Sequence, residues 1–300
     1  MSTGRIIRTA PGSRTEAFGA VEWLLLASIA GIWGSSYVLI AEALESFRPG
    51  VISLVRVGLG AAAIALFPRS RRPVDRSDWW SIAALATFWI TIPQLLFPIA
   101  QQWISSSLTG MLNGSMPLFS ASIAAVLLAR LPRHLQAIGL VVGFAGVVAI
   151  FLPSLDAGGD SLLGAVLVLV ATACYGVAAN ITARLQQRYG ALPVVLRAQL
   201  VALVCILPFG LVDLGGSRVA FSPGLALAVL GVVQTGLAFV FMATLIGRAG
   251  ATRGAIAIYF IPIVALVLGV VFRDETVEPI ALVGIGLVVV GAWLTSRREA

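Results

Sequence analysis

Ten runs of apolar residues, each roughly 20 positions long and bounded by charge, proline or glycine, follow one another along the chain. They cover residues 22–40, 50–67, 79–99, 106–128 and 134–152, then 162–183, 193–212, 223–246, 252–272 and 279–296. Wound as α-helix, a run of this length matches the hydrocarbon thickness of a bilayer. Barrel strands would be about half as long and would alternate in polarity. A helix also pairs every backbone amide internally, as lipid demands. The pattern predicts an all-α membrane protein with ten transmembrane helices.

The arginines test that count, because cytoplasmic loops collect positive charge. With the N-terminus inside, the inner segments hold Arg5, Arg8 and Arg14, then Arg69, Arg71, Arg72 and Arg76, then Arg130 and Arg133, Arg184 and Arg188, Arg248 and Arg253, and finally Arg297 and Arg298. The outer loops keep only Arg48, Arg218 and Arg273, beside Glu42, Glu45, Asp156, Asp160, Asp213, Asp274, Glu275 and Glu278. An odd number of helices would scramble this alternation. Both termini are thus expected in the cytoplasm. Residues 1–21 are read as a cytoplasmic tail rather than a signal peptide, because the run after them is long enough to span.

The second half of the chain repeats the first. One offset carries Pro117 onto Pro262, Gly139 onto Gly284 and Gly146 onto Gly291, and Ile32-Trp33-Gly34-Ser35 resembles Cys174-Tyr175-Gly176-Val177. The halves are 22–152 and 162–296. Each holds five helices, and since five is odd the second half enters the membrane from the opposite side. Two inverted five-helix repeats can exchange conformations and open a central site to one face and then the other.

Composition narrows the chemistry. Of 300 residues, 59% are hydrophobic and 11% charged, so there is no charged shell for an aqueous domain. All 20 basic residues are Arg. Without Lys there is neither a P-loop lysine for nucleotide phosphates nor a Schiff-base lysine. The lone His134, the lack of paired carboxylates and the lack of metal-ligand spacing leave an enzyme without chemistry, and no cofactor is expected. Cys174 and Cys205 sit in apolar runs and read as small hydrophobes. The formal charge of +7 follows from topology and anionic headgroups, so the expected partners are the bilayer and a small-molecule substrate, with no nucleic acid. Usage rich in Gly, Ala and Arg points to a GC-rich bacterial genome and its cytoplasmic membrane.

Trp33-Gly34-Ser35-Ser36, Pro49 followed by Arg56, Pro117 in helix four and Gly139, Gly143 and Gly146 in helix five resemble EamA-type transporters of the drug/metabolite transporter superfamily. The resemblance spans roughly 22–296. It implies export of amino acids, related metabolites or toxic organics. The chain departs from the family where a Glu often follows helix four, since it has Arg130 there, while the aligned Glu275 is kept.

No Asp or Glu lies near the centre of a span, so no carboxylate proton relay is visible. Neutral polar side chains recur at helical spacing instead: Thr87, Thr91, Gln94 and Gln101 in helix three, and Ser106, Thr109, Asn113 and Ser120 in helix four. Buried amides have several hydrogen-bonding sites to satisfy, so Gln94, Asn113, Asn180 and Gln234 are assigned to a substrate cavity, with interhelical bonding as the alternative. Trp33 and Tyr37 share a face of helix one. With Tyr175 and Tyr259, they offer rings with polar tips for a cavity wall, while Trp79, Trp80 and Trp293 anchor span ends. Arg56, about two turns inside helix two, either pairs with a substrate carboxylate or snorkels to the surface. Pro117 and Pro262 kink their helices and are assigned as hinges, static shaping being the alternative. The small-residue spacing of Gly139, Gly143 and Gly146 suits close contact and assigns helices five and ten to scaffolding, with a homodimer through them as a further use. The expected function is a secondary carrier exporting amino acids or related metabolites by alternating access. A drug efflux carrier, a nucleotide-sugar or sugar-phosphate carrier and, more remotely, a non-transporting subunit remain the alternatives.

Overall fold

The computed structural model describes residues 19–127, 134–156, 158–249 and 256–296. Residues 1–18, 128–133 with Arg130 and Arg133, 157, 250–255 with Arg253, and 297–300 lie outside the described residues. Among the described residues every regular element is helical. In chain order they are α1 (Ala20–Leu44), α2 (Pro49–Ala65), α3 (Trp79–Leu85), α4 (Ile92–Ala100), α5 (Ser106–Asn113), α6 (Met116–Leu127), α7 (His134–Asp156), α8 (Gly159–Tyr189), α9 (Ala191–Asp213), α10 (Phe221–Val229), α11 (Ala238–Ala249), α12 (Ile256–Arg273) and α13 (Pro279–Ser296). Wider π-type turns, Ala86–Thr91 and Leu230–Leu237, join α3 to α4 and α10 to α11.

Six stretches are long and apolar enough to cross a bilayer: Ala20–Leu44, Arg76–Ala100, His134–Leu155, Gly159–Tyr189, Ala191–Gly216 and Phe221–Met242. Pro49–Ala65, Ala257–Arg273 and Pro279–Thr295 are apolar but shorter. The run 106–128, expected as one helix, is broken at Gly114 and Ser115. The break sits where Gly114 lies against the ring of Pro262, so close that a Cβ would come 2.9 Å from the proline Cγ. The helix α8 is bounded by Gly158 at φ 102° and Gly190 at φ 81°, backbone angles that L side chains rarely adopt. At 31 residues it is about 46 Å long, so its last turn, with Arg188 and Tyr189, projects beyond a hydrocarbon core.

Packing follows the repeat. The last helices of the two halves, α7 and α13, meet along their glycines: a Cβ on Gly139 would fall 2.7 Å from the Gly291 carbonyl, and one on Gly146 would fall 2.6 Å from that of Gly284. Rising numbers on one helix meet falling numbers on the other, so the two run antiparallel. The glycine rows expected to scaffold are thus engaged with each other inside one chain. Gly34 likewise lets α1 approach Val264 of α12. The principal core gathers Tyr37, Ile40, Ile52, Phe97, Leu112, Val168, Ile261 and Ile285, drawing on both halves. Outward faces stay apolar, with Val141 on α7, Val204 and Val212 on α9, and Val271 on α12 exposed as lipid-facing residues require.

Candidate functional site

A cavity of about 360 Å³ lies between the halves. Helix α1 supplies Trp33, Ser36, Tyr37 and Ile40, and α2 supplies Arg56. Segment three contributes Trp89, Gln94 and Phe97, and Asn113 and Met116 flank the break between α5 and α6. From the second half come Tyr175, Thr182 and Gln186 of α8, Gln199 of α9, and Gln234 and Thr235 of the second π stretch. The described lining residues include no Asp or Glu.

The π stretches place the polar groups. Within the second π stretch the adjacent residues Gln234 and Thr235 are both buried against neighbours. The Trp33 indole donates to the Gln234 carbonyl at 3.1 Å. Ser36 donates to Gln234 Oε1 at 2.9 Å, and Gln234 Nε2 donates to Ser35 at 2.9 Å. Arg56 Nε donates to Thr235 Oγ1 at 2.9 Å, while Gln199 Nε2 donates to the Thr235 carbonyl at 2.8 Å. The offset that carries Pro117 onto Pro262 carries residues 86–91 onto 231–236, so the first π stretch is the repeat mate of the second.

Arg56 is 6% exposed and has no carboxylate partner among the described residues. Tyr37 and Tyr175 line the same cavity. Asn113 Nδ2 donates to Tyr37 at 2.6 Å, and the Asn113 Oδ1 faces Thr172 Oγ1 at 3.2 Å. Rings pack in sequence along the wall. Trp33 and Trp89 each stand edge-on to Phe239, at 5.5 and 5.0 Å, and Phe97 lies between Tyr37 and Tyr175, at 5.8 and 5.7 Å.

Of the side chains expected at the site, Trp33, Tyr37, Arg56, Gln94, Asn113, Tyr175 and Gln234 come together on this cavity. Asn180 and Tyr259 do not line it. Asn180 donates to the carbonyls of Ser120 and Gly176, stapling α8 to α6, and Tyr259 donates to the Ala292 carbonyl of α13. Tyr175, Ala179, Thr182 and Gln186 recur at helical spacing on the cavity face, and Asn180 is one residue out of that register. Tyr259 is likewise rotated away from Ile258 and Ile261. Of the expected hinges, Pro117 begins α6 just after the break and Pro262 packs against that break. Sequence reasoning missed Gln199 and Thr235, although an amide two positions from Arg197 inside an apolar run was a visible signal.

The cavity extends from Ile40 and Phe97 toward Gln186, Ala191 and Met242. Beyond Ile40, the acid-rich end is tied across the halves. Arg273 pairs with Glu42 at 3.2 Å and Glu45 at 2.7 Å, Ser222 bonds Glu42, and Asp213 accepts from the Gly50 amide at 2.7 Å. Glu275 caps α5: its Oε1 accepts from the Ser106 amide at 2.8 Å and hydroxyl at 2.7 Å, and its Oε2 accepts from the Ser107 amide at 2.8 Å. Asp274, at φ 51°, turns the chain out of α12 and brings Glu275 beneath that helix N-terminus. At the arginine-rich end Arg188 pairs with Asp75 and, at 2.6 Å, with Asp78, which also accepts from Tyr189 at 2.6 Å.

Helices that are apolar outward and share a polar-tipped cavity between them enclose a compartment for a solute within a membrane. The class so defined is a multi-pass membrane transporter. The EamA-like transporter family matches residues 21–152 and again 162–297, and the chain belongs to that family, whose members are transporters rather than enzymes. An "Uncharacterized transporter" of Archaeoglobus fulgidus is 21% identical over 93% of this chain and 99% of its own. A "Probable terminal-alkyne amino-acid exporter" of Streptantibioticus cattleyicolor is 28% identical over 92% of this chain and 93% of its own. A solved crystal structure, 16% identical, matches the fold with a TM-score of 0.66 over 93% of this chain and all but 1% of that one, 99% being covered.

Proposed function

We propose that this transporter crosses the membrane ten times, as halves 22–152 and 162–296 of opposite orientation after a cytoplasmic tail at 1–21. In this reading it exports small carboxylate-bearing metabolites, amino acids or related compounds, by alternating access. The observation that carries the cargo class is Arg56: a guanidinium 6% exposed, on the cavity wall, without a carboxylate partner among the described residues. A buried cation calls for an anion, and a guanidinium fork suits a carboxylate. A single cation on the described wall favours one carboxylate over a phosphate, which would draw on more than one. The amino-acid class is supported by the name of the Streptantibioticus relative. The membrane is the cytoplasmic membrane of a bacterium, with both termini inside. The cavity, reaching toward the arginine-rich end, then faces the cytoplasm while the acid-rich end is shut. The antiparallel meeting of α7 and α13 supports the inverted arrangement. Pro117 and Pro262 serve as hinges on either side of the break. A homodimer through α7 and α13 would use their outward valines, since their glycines already face each other.

In proteoliposomes, Arg56→Gln is expected to lose carboxylate transport at least about 10-fold, one charged hydrogen bond being worth roughly 1.5–3 kcal/mol, with the protein still inserted and folded. Undiminished transport by a folded Arg56→Gln protein would overturn the assignment.

A further inference from the structure

The cavity holds a second polar feature that a carboxylate alone leaves unused. Gln199 is 0% exposed, and its Nε2 is held by the Thr235 carbonyl at 2.8 Å. A carbonyl accepts only from the donor side of an amide, so this bond fixes which way the amide points. Its Oε1 is then left buried with no partner. Gln94, 8% exposed on the same cavity, also leaves its Oε1 buried and unpartnered. Native interiors rarely keep such acceptors without a donor. Thr235, which holds Gln199 by its carbonyl, takes Arg56 by its hydroxyl at 2.9 Å, so the guanidinium and the free Gln199 oxygen are tethered to one residue.

We propose that Gln199, together with Gln94, forms a neutral amine subsite beside Arg56, so that the transporter recognises α-amino acids as such and discriminates against simple carboxylates. This rests on the reading of Arg56 as the carboxylate receptor and adds the group that the cargo's nitrogen meets. An α-amino acid carries carboxylate and ammonium on one carbon, matching two recognition groups fixed to one residue. The ammonium has three donors and no acceptor, the complement of orphan amide oxygens. The rings of Trp33, Tyr37 and Tyr175 line the same cavity, and aromatic faces attract cations. Because the described wall has no carboxylate, an amine lacking a carboxylate of its own adds its charge to that of Arg56 and is repelled. The order of binding is therefore amino acid first, matching des-amino acid second, matching decarboxylated amine last. The aromatic wall accommodates an apolar side chain.

The experiment is thermal stabilisation of the full chain in detergent by leucine, phenylalanine and tryptophan, each compared with its des-amino acid and its decarboxylated amine. At least one amino acid is expected to stabilise the protein well above both of its counterparts. In Gln199→Met, the preference for that amino acid over its des-amino acid is expected to fall at least about 10-fold. Des-amino acids stabilising as well as amino acids would overturn the amine subsite and leave the Arg56 reading intact. Amines stabilising best, or no compound acting, would overturn both. A Gln199→Met protein that weakens acid and amino acid equally would reduce Gln199 to packing and overturn the proposal. If that variant does not fold, the wild-type ranking and Gln94→Met decide.

Discussion

Replacing Glu275 with Gln should release the acid-rich end of the transporter. The carboxylate accepts three hydrogen bonds, at 2.8, 2.7 and 2.8 Å, two of them from the first free amides of α5. A carboxamide keeps one neutral oxygen and turns an NH₂ group toward a donor, so at least one amide loses its acceptor and the rest lose charge assistance. Charged hydrogen bonds are worth roughly 1.5–3 kcal/mol against about 0.5–1.5 for neutral ones, and a negative charge at a helix N-terminus adds about 0.3–1. Glu275 is only half-buried, so the low end of these ranges applies, about 2 kcal/mol in all. That shifts the balance between closed and open ends by roughly 30-fold. The assay removes Cys174 and Cys205, places Ile40→Cys at the deep end of the cavity, and measures labelling by a membrane-impermeant maleimide added from the extracytoplasmic side. Labelling should accelerate by about that factor in Glu275→Gln. An equal rate in a stably folded variant would refute the reasoning.

Other consequences are simpler. Gly146→Leu forces side-chain atoms onto the Gly284 carbonyl and the Val288 amide, backbone groups 2.6 and 2.7 Å from the new Cβ, and should destabilise the purified protein by about 3 kcal/mol. Gly286→Leu, which meets nothing within 4 Å, should leave the thermal midpoint unchanged. Asn113→Leu strips the buried Tyr37 hydroxyl of its donor, which should cost about 1–3 kcal/mol and weaken cargo binding, measurable by thermal unfolding and competition. Arg188→Ala breaks pairs with Asp75 and Asp78, but its side chain is half exposed, so the loss should stay below about 1 kcal/mol in chemical unfolding.

Much of the architecture was legible because lipid imposes length and hydropathy on a helix, and these are additive along the chain. The glycines at 139, 146, 284 and 291 could be read as a close helix contact, because small residues at helical spacing let backbones approach, but not whether that contact lies within the chain or between copies. What the sequence hid was rotation and irregularity. The amide of Asn180 and the polar-tipped ring of Tyr259 suggested the cavity, but side-chain type does not fix the face, and each falls off the register of its cavity-lining neighbours. The break in helix four falls just before Pro117, which has no N–H to donate to the Asn113 carbonyl and was legible, whereas the contact of Gly114 with Pro262 of another helix was not. The π stretches, one of which carries Gln234 and Thr235, have no hydropathy signature, and the tie of Gln199 to Arg56 through Thr235 went unread.

Cavity, latch and direction all require that equivalent loops of the two halves lie on opposite faces of the membrane. Single cysteines at Arg71, after α2, and at Gly215, after α9, test this most directly. An impermeant maleimide applied to intact cells should label position 215 and leave position 71 untouched until the membrane is opened. Labelling of both positions from the same face would contradict inverted halves and, with them, a cavity that opens alternately to the two sides.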